Sequence, residues 1–190
     1  YFNFKNIRVA GVACAVPTNE VKTEIYKPLF GGEEVDKFME MTGVRASRRT
    51  TEHQTCSDLG YKAATELLVK KGIDPNEIGA LIFASHSPDY RRPSTAFVLQ
   101  YRLGIPKEAV CYDISLGCSS LVVGMQTIAS IMNTSDIKKA LLFVGDTAGK
   151  SVYPEDRSSA MLFGEAGAVM LLEKTDDEKD QIKALLRSDG

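Results

Sequence analysis

The hydrophobic positions of the chain fall into short uninterrupted runs, separated by segments in which apolar residues recur at helical spacing. The uninterrupted runs have the length and the β-branched content of strands buried on both faces. They predict strands over 7–16, 80–85, 110–114, 140–145, 165–172 and 182–186. The helical spacings predict four main helices, over 33–41, from the cap at 55 to the glycine at 72, over 94–103 and over 121–132.

Local signals mark several of these boundaries. Thr55 and Asp58 have the spacing of a capping box, and Gly72 is placed to end the helix that they open. Ser94 is expected to cap the next helix. The helix over 121–132 is apolar almost all round, which predicts burial on every side. The charged stretch 173–179 predicts a solvated hairpin tip between the last two strands.

Strands that are apolar on both faces and alternate with helices indicate an α/β fold with helices on both faces of the sheet. No internal repeat, low-complexity segment or linker divides the sequence, so residues 1–190 are predicted to form one domain. The chain begins at Tyr1 and stops directly after a strand-like segment. We therefore expect it to be part of a longer protein.

Charge and composition exclude several classes of function. The sequence has 23 basic and 25 acidic side chains and a formal charge of −2, which gives no footprint for nucleic acid or an anionic membrane. No apolar run approaches the roughly 20 residues that span a bilayer, and no secretory signal pattern is present. These features favour a soluble, cytoplasmic protein.

The four cysteines are the first candidates for chemistry. No two of them form a CxxC pair and the sequence has only two histidines, so no metal site is indicated. In a cytoplasmic protein free thiols are expected. We expect Cys14, Cys56 and Cys111 to fill space as small hydrophobic residues.

Cys118 is different because it lies in the turn between a predicted strand and the helix over 121–132. Sites in open α/β sheets lie at the carboxyl ends of strands, and unpaired N–H groups at a helix N-terminus stabilise a thiolate. Gly117 permits a sharp turn, and an N–H of the same turn could serve as an oxyanion donor. A small buried cysteine packed at a strand–helix junction is the competing interpretation.

Further segments, which occur in a fixed order along the chain, favour the catalytic interpretation of Cys118 over the structural one. With the cysteine turn, they give the chain a resemblance to the N-terminal half of the β-ketoacyl-acyl-carrier-protein synthase III family, in the thiolase superfamily. The segments are Val9-Ala10-Gly11, Val16-Pro17, Thr42-Gly43-Val44-Arg45, Pro93-Ser94-Thr95-Ala96, Leu103-Gly104-Ile105, Asp113 through Gly124, Val144-Gly145-Asp146, Asp156-Arg157-Ser158 and Leu162 through Ala168.

The resemblance implies a thiolase-like half with a five-stranded mixed sheet, and it implies that Cys118 is the nucleophile that accepts an acyl group. The substrates would be acyl-coenzyme A and acyl-carrier-protein thioesters, with no bound cofactor. A malonyl-derived carbanion, formed by decarboxylation, would attack the acyl-enzyme. The histidine and asparagine partners of the cysteine lie in the family's C-terminal half, so the fragment alone is expected to be inactive. A homodimer through this half is also implied.

Three positions are candidates for substrate binding. Arg157 matches a family position where a cation meets coenzyme phosphate; an ion pair with Asp156, Glu155 or Asp146 is the alternative. Arg45 closes the Thr-Gly-Val-Arg motif. His86 follows a predicted strand and should lie at the active edge of the sheet, although a loop histidine bonded to backbone is the commoner arrangement.

Other positions depart from the family or have structural explanations. Lys37 and Met41 occupy the places of the tryptophan and arginine that grip coenzyme A, and Arg92 replaces a pocket phenylalanine. Asp113 is predicted to bond backbone rather than to act as a base. Two further functions therefore remain open: transfer of the acyl group to an oxygen or nitrogen acceptor without decarboxylation, and a noncatalytic binding subunit.

Overall fold

A computed structural model describes residues 1–189 and contains nine strands and six α-helices in that range. The strands are β1 (Phe2–Lys5), β2 (Ile7–Ala15), β3 (Glu20–Lys22), β4 (Ala46–Arg48), β5 (Ile78–Ala84), β6 (Val110–Ile114), β7 (Lys139–Asp146), β8 (Ala166–Lys174) and β9 (Gln181–Ala184). The helices are α1 (Lys27–Phe30), α2 (Gly32–Thr42), α3 (Cys56–Lys71), α4 (Thr95–Leu103), α5 (Ser120–Asn133) and α6 (Arg157–Ala160).

The centre of the fold is a five-stranded sheet in the order β2-β8-β7-β5-β6. β5 runs parallel to β6 and β7, whereas β8 is antiparallel to both β7 and β2. The predicted five-stranded mixed sheet is confirmed. β3 pairs with β4, and β1 pairs with β9, in two small separate ribbons.

Alternate residues of the central strands enter two different cores, which explains their uninterrupted apolar sequence. In β5, Leu81 and Phe83 pack in the cluster that contains residues of α3 and α4. Ile82 and Ala84 pack in the cluster that contains residues of α5. Because side chains alternate between the faces of a strand, a strand covered on both faces must be apolar at every position. Helices on both faces are thus confirmed.

Helix α5 uses only one face for this packing. Gly124, Ile128 and Met132 are buried against the sheet, whereas Val122 is 47% exposed. The prediction that this helix is buried on every side is wrong within residues 1–189, because the helix lies on the outside of the sheet. The apolar residues of α5 that face away from the sheet are at least partly exposed to solvent. No helix in residues 1–189 has both the length and the hydrophobicity to cross a bilayer.

The capping predictions have mixed outcomes. The box at the start of α3 is confirmed, with the Thr55 hydroxyl accepting from the Asp58 N–H and the Asp58 carboxylate accepting from the Thr55 N–H. Ser94 makes no side-chain cap for α4. The carboxylate of Asp113 accepts the N–H groups of Thr95 and Ala96 at 2.7 and 2.8 Å instead.

The predicted hairpin between the last two strands is wrong. β9 pairs antiparallel with β1, with Ile182 opposite Phe4, and leaves the central sheet. Both residues join the core cluster on the α5 side. The turn lies over 175–180, so the first two residues of the charged stretch 173–179 belong to β8. The partner of β9 is chosen by packing with a strand at the other end of the chain.

Candidate active site

Cys118 lies on the surface in a short 3-10 turn, Gly117–Ser119, which joins β6 to α5. The Ser120 hydroxyl accepts a hydrogen bond from the Leu116 N–H at 3.1 Å, and the Ser119 hydroxyl donates to the Leu116 carbonyl at 3.0 Å. These bonds fix the backbone on both sides of the cysteine. The competing interpretation, a buried cysteine that fills a junction, does not fit an exposed thiol.

His86 lies beside this turn. Gly117 has a φ of +63°, and a Cβ at this position would lie 3.0 Å from His86 Nε2 and 3.2 Å from His86 Cδ2. The glycine therefore serves two requirements, a left-handed backbone and room for the imidazole. The expectation that His86 lies at the active edge of the sheet fits this position next to the Cys118 turn.

Replacing Gly117 by alanine tests whether the turn and the imidazole depend on this glycine. We expect a loss of about 1–2 kcal/mol in the free energy of unfolding, from the left-handed backbone alone. The added methyl would also displace the His86 ring from beside the Cys118 turn, so the rate of Cys118 alkylation should change as well. Urea denaturation and iodoacetamide kinetics measure the two effects, and a variant that matched wild type in both would contradict this geometry.

The loop that carries His86 is held by a carboxylate at the end of β7. Asp146 Oδ1 accepts from the His86 N–H at 2.7 Å and from the Ser87 N–H at 3.0 Å. It also accepts from the hydroxyls of Ser85 and Ser87, each at 3.0 Å. From the sequence, Asp146 was part of the Val144-Gly145-Asp146 segment and a candidate ion-pair partner of Arg157, but no role in holding the His86 loop was predicted. Its place directly after a predicted buried strand was the available signal for a role at the site.

Asp113 has the structural role that the sequence predicts. Its two carboxylate oxygens accept the first N–H groups of α4, and it lies in β6, on the chain just before the Cys118 turn. Burial raises the pKa of Asp113, against the two N–H groups, which lower it. Both oxygens are occupied by backbone, so the residue anchors α4 to the sheet next to the site.

The four thiols have different environments. Cys56 is buried, and burial together with the nearby Asp146 carboxylate raises its pKa to about 12. Burial raises the pKa of Cys111 to about 11. These two residues fill space as expected, whereas Cys14 is exposed and does not. Cys14 lies on β2, an edge strand of the central sheet, and no helix of the described residues fully covers its side chain.

Alkylation should follow these environments. Iodoacetamide reacts with thiolate, so at pH 8 we expect the native chain to be modified at Cys118 and Cys14 and to be spared at Cys56 and Cys111. Peptide mass mapping after brief labelling checks the pattern, with labelling in denaturant as the reference for complete reaction. Modification of Cys56 at the rate of Cys118 in the native chain would contradict the assignment.

Arg157 lies in a groove between α2 and α6, and its guanidinium is paired with an acid that sequence reasoning missed. Its Nη1 lies 2.7 Å from Glu34 Oε2, and both side chains are exposed. The predicted partners Asp156, Glu155 and Asp146 are not used. The groove has a volume of about 300 Å³ and includes Lys37 and Met41 in its lining. The structure therefore brings together three positions that the resemblance associates with coenzyme binding.

Arg45 lies between α2 and β4 and is exposed. Its carbonyl accepts from the Thr23 N–H at 2.9 Å. Within residues 1–189, its guanidinium makes no hydrogen bond or ion pair. The site candidates thus form two groups in the described structure. The first is the Cys118 turn with His86, and the second is Arg157 in the groove with Lys37. Arg45 makes no side-chain hydrogen bond or ion pair with either group.

Comparison with known proteins agrees with this geometry. The family model for 3-oxoacyl-[acyl-carrier-protein] synthase III matches residues 112–190, which include the Cys118 turn. A β-ketoacyl-[acyl-carrier-protein] synthase III of Clostridium beijerinckii is 36% identical over 187 residues. The chain is similar to synthase III proteins along nearly its whole length. The aligned residues are 97% of this chain and 56% of the Clostridium protein, so the chain spans about half the length of the curated relatives that it matches.

Solved structures of the family give the same result for the fold. A 3-oxoacyl-(acyl-carrier protein) synthase from Burkholderia xenovorans superimposes with a TM-score of 0.91 at 36% identity, over 93% of this chain and 51% of that chain. A second synthase III structure has a TM-score of 0.86 at 29% identity, over 91% of this chain and 51% of that chain. The thiolase-like half predicted from the sequence is thereby confirmed.

Proposed function

We propose that the protein is an acyl-thioester condensing enzyme and that Cys118 is its nucleophile. The observation that supports this proposal is the exposed thiol in a hydrogen-bonded strand–helix turn, within the segment that matches the synthase III family. In the first step Cys118 sulfur attacks the thioester carbonyl. The bond from that carbon to the carrier's sulfur breaks, and the acyl group stays on the protein.

The second step forms the carbon–carbon bond. A malonyl thioester loses carbon dioxide, and the electron pair of the broken bond attacks the carbonyl carbon of the acyl-cysteine. The Cys118 sulfur leaves as thiolate and takes up a proton. Backbone N–H groups of the Gly117–Ser119 turn are the proposed donors to the oxyanion in both steps. The histidine and asparagine that the resemblance assigns to decarboxylation are proposed to lie outside residues 1–190.

The groove that contains Arg157 is the proposed contact for the carrier of the acyl group. Arg157 and Lys37 line it, and Arg45 is exposed nearby in the chain without an acidic partner in residues 1–189. Guanidinium and ammonium groups bind phosphate, which coenzyme A and the prosthetic group of an acyl carrier protein both have. Because Glu34 pairs with Arg157, a phosphate in this groove must displace the Glu34 carboxylate or share the Arg157 guanidinium with it.

The order of the two half-reactions provides the test. We would incubate the full-length protein with acyl-coenzyme A, isolate the acyl-enzyme, and then add malonyl-acyl-carrier protein. Release of carbon dioxide together with a β-ketoacyl product supports condensation. If the acyl-enzyme instead passes its acyl group to an oxygen or nitrogen acceptor and no carbon dioxide is released, the protein is an acyltransferase and not a condensing enzyme. No adduct with any thioester would favour a noncatalytic binding subunit.

The resemblance implies a homodimer through this half, and we propose that the two copies pair through β6. β6 is an edge strand of the central sheet and pairs only with β5 among the described strands. In β6 itself Val110 is 40% exposed, and on α4 Phe97 and Tyr101 are 49% and 89% exposed. An unpaired edge next to exposed aromatic residues favours association with a second copy about a twofold axis.

The pairing has a direct measurement. We expect light scattering to give the mass of a dimer, and Phe97→Asp with Tyr101→Asp to shift the protein toward monomer. Ile25→Asp is the control, because Ile25 is also exposed (60%) but belongs to the segment before α1. A monomer at high concentration in the unmodified protein would exclude the dimer.

Three expectations from the sequence complete the proposal. We propose that residues 1–190 form one domain, that this half alone does not complete the condensation, and that the enzyme acts in the cytoplasm. The second rests on the resemblance, which assigns the histidine and asparagine partners of the cysteine to the C-terminal half of the family. Assay of the 190-residue chain beside the full-length protein tests it, since both should form the acyl adduct if only the later step needs the other half.

A further inference from the structure

His86 has an imidazole that the fold does not use. The side chain is exposed and makes no hydrogen bond within residues 1–189. Its Nε2 lies close to the backbone of Gly117, since a Cβ added at that position would be 3.0 Å from it. The arrangement expected for a loop histidine, a ring bonded to backbone, is therefore absent from the described structure. A free imidazole lies beside the turn of the nucleophile.

The backbone of His86 is nevertheless fixed. Asp146 Oδ1 accepts four hydrogen bonds from the segment Ser85–Ser87, including the His86 N–H at 2.7 Å. The Thr147 N–H donates to the Ser87 hydroxyl at 2.8 Å and ties the segment to the residue after β7. A fixed backbone limits the positions that the His86 side chain can reach. Such preorganisation favours proton transfer.

The ring borders a polar cavity on its other side. The cavity has a volume of about 650 Å³, and its lining includes Asp89, Arg91 and Lys150. Lys150 is held by bonds from Nζ to the carbonyls of Glu52 and Gln54, at 2.9 and 2.6 Å. The titratable and charged groups around the imidazole are thus Asp146 at its backbone, Asp89, Arg91 and Lys150 across the cavity, and Cys118 in the facing turn.

We propose that His86 carries the proton in the acylation of Cys118, an inference that rests on the proposed function. Nε2 takes the proton of the Cys118 thiol as the sulfur attacks the thioester carbonyl. When the carbon–sulfur bond to the carrier breaks, the same proton passes to the departing thiolate. The products are the acyl-cysteine, a free carrier thiol and a neutral imidazole, with no change of oxidation state. Imidazole is the side chain best suited to transfer protons near neutral pH.

The test is the rate of single-turnover acylation in the full-length protein, followed by intact mass after acid quench from pH 5.5 to 9. Wild type, His86→Gln and His53→Gln are compared with acyl-coenzyme A as the probe. His53 lies in the loop before α3 and serves as the matched control. We expect His86→Gln to slow acylation by about 10²- to 10⁴-fold and to change the shape of the pH profile, and we expect His53→Gln to match wild type. Added imidazole should accelerate His86→Ala.

The possible results separate this inference from the proposed function. A wild-type protein that forms no adduct overturns both. Acylation at the wild-type rate in His86→Gln overturns only the role of His86. The role of His86 is also overturned if His86→Gln is slower with an unchanged pH profile and His86→Ala does not respond to imidazole. That result would indicate a packing contact with Gly117 rather than proton transfer.

Discussion

Replacing Cys118 by alanine should abolish condensation and reduce product formation by about 10⁴-fold or more. The reason is chemical, because without a sulfur nucleophile no acyl-enzyme can form and the malonyl carbanion has no activated carbonyl to attack. The turn itself should survive. Its hydrogen bonds involve Leu116, Ser119 and Ser120 and not the thiol, and the removed side chain is exposed.

Cys14→Ala is the matched control for this experiment. Cys14 is a second exposed thiol in the chain, so a nonspecific effect of removing a surface cysteine would appear in both variants. Product formation by coupled assay and unfolding by urea should be measured together. Full activity in Cys118→Ala, or equal losses in the two variants, would mean that the nucleophile has been assigned wrongly.

The second large effect is expected at Glu165, whose carboxylate is buried between the β4 region and β8. Its Oε2 accepts from the Thr50 N–H at 2.6 Å and from the Thr50 hydroxyl. Its Oε1 lies 3.8 Å from Arg49 Nη1, and the Arg49 side chain is only 15% exposed. Glu165→Ala should lower the free energy of unfolding by about 3–5 kcal/mol, because it leaves a largely buried guanidinium without its counter-charge.

Two comparisons sharpen this prediction. Glu66→Ala removes an exposed ion pair with Lys62 and should leave stability almost unchanged. Arg49→Met combined with Glu165→Ala should recover part of the loss, since removing both charges avoids the unpaired one. Urea midpoints with a constant m-value measure all three variants. If Glu165→Ala were no less stable than Glu66→Ala, the buried pair would have no structural importance.

The strands of the central sheet could be predicted from the sequence because each is apolar on both faces. β5 is the clearest case, with consecutive residues that enter two separate cores. The same signal misled the interpretation of α5, since an apolar sequence does not state whether every face is covered within one chain. The partner of β9 was also beyond local reasoning. It is β1, nearly 180 residues away, and only three-dimensional packing selects it.

The candidate site was predictable where a residue follows directly from the end of a strand. Cys118 after β6 and His86 after β5 are in that class, and the structure places the His86 ring beside Gly117, the residue before Cys118. Their supports come from distant parts of the chain. Asp146 anchors the His86 segment, Asp113 in place of Ser94 caps α4, and Glu34 pairs with Arg157. Sequence spacing carries no information on such contacts.

The location of the acyl group tests most directly whether Cys118 is the nucleophile. After reaction of the full-length protein with acyl-coenzyme A, trypsin should release residues 108–138 as one peptide that contains both Cys111 and Cys118. Fragmentation of that peptide separates the two thiols. We expect one acyl group on Cys118 and none on Cys111 or on the peptides that contain Cys14 and Cys56. An acyl group on another cysteine, or on none, would contradict this expectation.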